Sequence, residues 1–403
     1  MKNTLSIFCR WSYPKSQGGI PMHNYHLMNL LNDNMEINSI SIHDQYNIDN
    51  LINKKGLQYF FIKLPFKSMF DLSFRFKVLD NWFRSYKDWI ISKQMFKANY
   101  NFSSNIMEFM DIHSEGYYFL KNRNYFKNSK IIIRSHTPWT LLRKYYQAKD
   151  KKNVDSKWSY NREYFCFKKC DIITTPSKNL KLNLINIFNL NEKKIVVLPN
   201  IIDTDHFKPL KIRKNDGRFK MLHVGRFNRG KGVITMIKAF IKLAIKYDNI
   251  FLVNVGKTDK NILLECKTLL KKNNLDQRVS FENFIDYQDL PKYYGHTDVV
   301  IVPSELYESF SYTAAQGMSC GRVVIASDIG GIPETLNYGK AGLLFKPGNV
   351  RSLIDNIKKV YLKNINPKEF EYAARNFILD NFSFKVLKTK YLNFYKGQLK
   401  SKK

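Results

Sequence analysis

Residues 302–334, VPSELYESFSYTAAQGMSCGRVVIASDIGGIPE, restrict the fold of this chain more than any other stretch. They begin at the end of an apolar run, DVVIVPS, cross a polar loop, enter a small-residue run at 313–320 with helical composition, and return as RVVIAS. Strand, loop, helix and strand in that order form the crossover unit of a parallel sheet, whose ligands sit beyond the carboxyl ends of the strands. The loop at 304–311 is therefore a candidate site. Glu308 offers oxygens to sugar hydroxyls, the amides of Ser309, Phe310 and Ser311 lie at a helix start that favours an anion, and Gln316 follows in the helix. On these residues alone, a sugar-phosphate site and an ordinary polar loop stand level.

The rest of the chain repeats the alternation. LSIFCR, EINSISIH, QYFFIKLP, NIMEFMD, KIIIRSH, DIITTPS and KIVVLPN read as short strands in the first half, separated by segments long enough for helices. FKMLHVGRF, IFLVNVG, RVSFEN, DVVIVPS, RVVIAS and AGLLF continue the pattern in the second. This predicts α/β architecture, with parallel sheets covered on both faces. A chain of 403 residues, 44% of them hydrophobic, supports two or more domains with full cores.

A formal charge of +32 admits nucleic acid, an anionic membrane surface or an anionic substrate as partner. The Lys and Arg residues are scattered and no nucleic-acid motif accompanies them, which favours the membrane and the substrate. Cys9, Cys166, Cys170, Cys266 and Cys320 show neither Cys-x-x-Cys nor zinc-like spacing, as expected in a reducing compartment. The N-terminus reads as a first strand rather than a signal peptide, and no apolar window reaches membrane-spanning length. The expected location is cytoplasmic.

Several local patterns carry chemistry. Gly18 and Gly19 precede a helical run expected to begin near Met22, where the backbone could approach a phosphate or sugar, although a plain tight turn reads as well. Residues 66–96 interleave aromatics with Lys67, Arg75, Lys77, Arg84, Lys87 and Lys93, a pattern that suits either a helix at a lipid interface or an amphipathic helix with its aromatic face in the core. KIIIRSH delivers His136 to a strand end, followed by Thr137, Pro138 and Trp139. Arg226 and Lys231, five residues apart across Gly230, can reach one dianionic group at a helix start.

The 302–334 stretch resembles the donor-site signature of the retaining glycosyltransferases of family 4. Glu308, Phe310, Met318, Cys320, Gly321, Gly330, Gly331, Pro333 and Glu334 fall in register, whereas Ser311 replaces a Gly and Gln316 replaces a second Glu. Pro199, Asn200, Asp203, Phe207 and Pro209 match the family's interdomain segment, with Ile201 in place of Gly. The resemblance implies the GT-B arrangement, two Rossmann-like domains facing a cleft: an acceptor-binding domain at 1–207, a nucleotide-sugar domain at 208–380, and a helix at 381–403 crossing back to the first.

It also implies roles. Arg226 and Lys231 would neutralise the donor's diphosphate, Glu308 would hold the donor sugar, and His136 would meet the sugar on the acceptor side. The donor site would further include Gly18, Gly19, Ser309, Phe310, Ser311 and Thr313, with Gln316 at the ribose and Asn283 and Phe284 near the base, Asn283 standing where the family has Gly. No cofactor and no metal is expected, since no Asp-x-Asp stands at a strand end. The implied reaction moves a sugar from a nucleoside-diphosphate sugar to a hydroxyl of a cell-surface glycan or lipid-linked acceptor, such as lipopolysaccharide. The enzyme would sit peripherally at the inner face of the cytoplasmic membrane. Because both departures fall in the signature, the second reading is a weak or inactive nucleotide-sugar-binding partner of a glycan-assembly system; nucleic-acid binding is the third.

Overall fold

Every apolar run named above forms a strand. The computed structural model describes residues 3–11, 13, 16, 18–42, 57–62, 77–99, 104–145, 154–210 and 216–400. In chain order the strands are β1 (Thr4–Phe8), β2 (Glu36–Ile42), β3 (Leu57–Ile62), β4 (Ile106–Met110), β5 (Lys130–Arg134), β6 (Ile172–Thr175), β7 (Ile195–Val197), β8 (Phe219–Val224), β9 (Ile250–Val255), β10 (Val279–Glu282), β11 (Val299–Val302), β12 (Val323–Ser327) and β13 (Leu343–Phe345). Two units emerge, Met1–Ile201 with Leu387–Lys403, and Ile202–Val386. Each holds one parallel sheet, so the chain forms two Rossmann-like α/β domains.

The first sheet has the order β3-β2-β1-β4-β5-β6-β7. The chain lays β2 and β3 on one side of β1 and then returns to lay β4 on the other, so the winding reverses between β1 and β4. Open sheets of this kind receive ligands at that reversal, beyond the carboxyl ends of the two strands. The central strands β1, β4, β5 and β6 are buried on both faces, which is why they read as apolar runs rather than alternations. Phe8 stacks on Phe109 across them at 4.6 Å, and Phe119 closes over both.

The second sheet, β10-β9-β8-β11-β12-β13, reverses between β8 and β11. Helix Val233–Ala244 buries Val233, Met236, Ile237 and Phe240 against it. The entry to this helix depends on Gly232, at φ +67, because an added Cβ there would lie 1.7 Å from the Pro303 carbonyl oxygen. Helix Tyr312–Ser319 starts at Ser311, whose hydroxyl accepts from the Ala314 N–H. The residue that departs from the family's Gly has φ −106, a conformation open to any residue, and supplies an N-cap.

Three expectations shift. Residues 202–207, expected with the first domain, are fastened into the second unit. Ile202 donates to the Phe382 carbonyl, Phe207 packs on Tyr287 and Tyr294, and Arg375 donates to the carbonyls of Thr204, Phe207 and Ser319. The helix expected near Met22 begins at Gly19, because Pro21 falls in the first turn, where it forfeits no helical hydrogen bond. The final helix spans Phe384–Lys400, and from Leu387 onward it belongs to the first unit; Tyr391 donates to the Pro199 carbonyl and Tyr395 to Glu108 Oε2.

Of the aromatic, basic stretch, 66–76 lie outside the described residues. Helix Lys77–Asn99 turns Asp88, Ile91, Ser92 and Met95 inward. Tyr86 and Trp89 lie on its flank, where Trp89 stacks on Tyr86 and the Lys93 ammonium lies 5.1 Å from the Trp89 ring centroid, whereas Phe96 packs edge-on against the buried Phe119 and Phe126.

Candidate functional site

The reversal in the second sheet brings together residues far apart in sequence. The loop after β8 carries Lys231 and the loop after β11 carries Glu308, and the Lys231 ammonium lies 2.6 Å from Glu308 Oε1. Ser304 Oγ also donates to Glu308 Oε1. Asn228 fixes the lysine's loop by accepting the Lys231 N–H at its side-chain oxygen. The Glu308 main chain is fixed from the glycine turn: Gly331 N–H donates to its carbonyl at 2.7 Å, and Gly330, at φ +62, lets that carbonyl come close. The result is a half-buried cation and carboxylate on a rigid frame, at the place where an α/β sheet binds anions.

Arg226 lies in the same loop, exposed, with no carboxylate in ion-pair contact among the described residues. Ser309 and Phe310 are buried, and Phe310 packs between Tyr312 and Phe382. Thr313 donates its hydroxyl to the Val224 carbonyl, tying the helix to the end of β8. Gln316 is buried, and its side-chain oxygen accepts from the Tyr294 hydroxyl at 3.1 Å. Asn283 and Phe284 follow β10 and are exposed. His223, on β8, is pushed down to about 3 by burial and then by Lys231, so it is neutral near pH 7. Among the described residues, no group of three His, Cys, Asp or Glu side chains converges as a metal would need.

The first unit holds His136, beyond β5. Its N–H donates to Asp111 Oδ1, and its ring meets His23 edge-on at 5.1 Å. Burial, and then the Arg134 charge, hold His136 well below the usual imidazole range. It is thus a neutral hydrogen-bonding group, and its Nε2 has no protein partner. The segment after it is gripped by Glu163, which accepts from the N–H groups of Trp139 and Thr140 and from the Thr140 hydroxyl. Gly18 precedes helix Gly19–Leu31 as its N-cap with φ −75, a conformation any residue adopts.

Sequence reading missed Arg134, which donates to the Leu198 carbonyl and to Asn200 Oδ1, and Glu108, bonded to Tyr395. The signal was present: a charge inside IMEFM or KIIIR sits in a strand that must be buried on both faces.

Comparison with known proteins adds the family. Residues 205–377 match the model described as glycosyl transferases group 1, and residues 106–206 match glycosyltransferase family 4. An uncharacterized glycosyltransferase of Methanocaldococcus jannaschii is 29% identical over 255 residues, 60% of this chain and 64% of that relative. The matched stretch thus spans less than two thirds of the relative. Among solved structures, sucrose-phosphate synthase of Thermosynechococcus elongatus superposes with a TM-score of 0.80 at 18% identity, covering 98% of this chain and 99% of that one. The Anabaena HepE protein in complex with UDP and glucose gives 0.72 at 15% identity, with 98% and 100% covered. The two family models meet at residues 205 and 206 and together run from 106 to 377, and the chain belongs to the family 4 glycosyltransferases.

Proposed function

We propose that this protein transfers a glycosyl unit, with retention and without a metal, from a nucleoside-diphosphate sugar to a hydroxyl of a glycan or lipid-linked acceptor. The observation that carries the reading is the Lys231–Glu308 pair at the reversal of the second sheet, inside the matched family region. In the reaction the acceptor hydroxyl oxygen bonds the anomeric carbon, the bond from that carbon to the phosphate oxygen breaks, and the nucleoside diphosphate leaves with that electron pair and takes up the hydroxyl's proton. Lys231 and Arg226 meet the growing charge, Glu308 holds donor hydroxyls, Gln316 the ribose, and the neutral His136 a sugar hydroxyl. Removing one donor of this kind costs about 3 kcal/mol, roughly a hundredfold in rate.

The test is calorimetric titration with UDP, the nucleotide of the Anabaena neighbour, and with other nucleoside diphosphates. Arg226→Ala and Lys231→Ala are each expected to weaken binding and slow transfer by about tenfold to a thousandfold. Unchanged affinity in both would remove them from the site. The same titration with chelator is expected to match; a loss would overturn metal independence.

We further propose attachment to an anionic membrane surface, supported by the +32 charge and the flank of Tyr86, Trp89 and Lys93. Each cation near such a surface contributes about 1 kcal/mol. Flotation with anionic vesicles should recover the protein and neutral vesicles should not; equal recovery would count against attachment.

A further inference from the structure

The first sheet reverses between β1 and β4, and what stands there has no role so far. Trp11 follows β1 with 42% of its surface exposed. A single exposed aromatic needs no explanation in itself. This one is held by side chains from two segments. The His113 ring, beyond β4, meets the indole edge-on at 5.1 Å, and the Arg10 guanidinium lies 5.6 Å from its centroid.

Those two groups are fixed by one buried carboxylate. Asp88 Oδ1, on helix Lys77–Asn99, accepts from Arg10 at 2.7 Å and lies 2.9 Å from His113 Nδ1. Arg162 stands 3.9 Å from the other oxygen. The main chain is anchored as well, the Arg10 N–H donating to Glu115 Oε1 at 2.8 Å. Burial pushes Asp88 up, but His113 and Arg10 more than offset it and hold the carboxyl below its usual range. Burying such a cluster costs more than an unused surface ring returns. Its effect is to remove the freedom of Arg10, His113 and the indole before any ligand arrives.

We infer that Trp11 is a preorganised stacking platform for a pyranose ring of the acceptor, at the ligand-binding reversal of the first sheet. The negative face of the indole suits the C–H face of a sugar and disfavours a phosphate. The pyranose class is inferred from the exposed, held indole face; its role as acceptor rests on the transferase reading.

The experiment reads binding without a donor. Methyl glycosides of glucose, galactose, mannose and N-acetylglucosamine are titrated by saturation-transfer NMR against wild type, Trp11→Ala and Trp11→Phe, with circular dichroism confirming the fold. For the tightest-binding glycoside, Trp11→Ala is expected to weaken binding about tenfold, while Trp11→Phe stays within about threefold. A loss under threefold in Trp11→Ala, or no glycoside binding to wild type, overturns the platform. The transferase reading fails separately, if wild type neither transfers from nor hydrolyses any nucleotide sugar.

Discussion

Glu308→Gln is expected to lower transfer by on the order of a hundredfold while holding or tightening nucleoside diphosphate binding. The opposite signs follow from the ion pair. In the free protein the Lys231 ammonium is engaged with Glu308 Oε1, and a diphosphate must compete with that carboxylate for it. An amide at 308 withdraws the competitor and one negative charge, so the lysine is freer to meet phosphate. It also trades one carboxylate oxygen for an NH2 donor and leaves one neutral acceptor, so on the proposed role the donor hydroxyls are held more weakly and transfer falls. Lys231→Ala, by contrast, should weaken binding and transfer together. Calorimetry and single-turnover transfer on the two variants check this. If both lose diphosphate affinity equally, the pair is a structural bridge and Glu308 has no separate task.

The strands were legible because a parallel sheet covered on both faces demands unbroken apolar runs, and VVIV, VVIAS and KIIIR declare themselves. Glu308, Lys231 and the glycines were legible one at a time through motif spacing. Their pairing was not, since Lys231 and Glu308 are 77 residues apart and meet only through the strand order. Gln316 shows a different limit. Its position in the helix could be read, but the bond from Tyr294, which occupies its oxygen, arises from a residue outside the motif. The polar cores of the first unit hid for a third reason: Arg10, Asp88 and His113 belong to no motif and come together around one oxygen only through the fold.

That dependence of side chains on backbone frame is sharpest at Gly330. The residue has φ +62, and a Cβ there would fall 2.2 Å from the Glu308 carbonyl oxygen and 3.1 Å from its carbonyl carbon. Neither atom belongs to a flexible side chain, so alanine has to displace the peptide that carries Glu308. That peptide also accepts the Gly331 N–H at 2.7 Å, a bond the displacement would break. Gly330→Ala is therefore expected to destabilise by about 3 kcal/mol or more and to lower the unfolding midpoint by roughly 6–12 °C. Transfer should fall with it, even well below the new midpoint, because the carboxylate moves with its main chain. Gly217 supplies the control. It has a comparable φ of +72 but nothing within 4 Å of its added Cβ, so Gly217→Ala carries only the left-handed strain, about 1 kcal/mol. Thermal unfolding and transfer rates on the two variants separate strain from contact. If Gly330→Ala is as mild as Gly217→Ala in both, the glycine turn does not hold Glu308, and the carboxylate's position must be set by Ser304 and Lys231 alone.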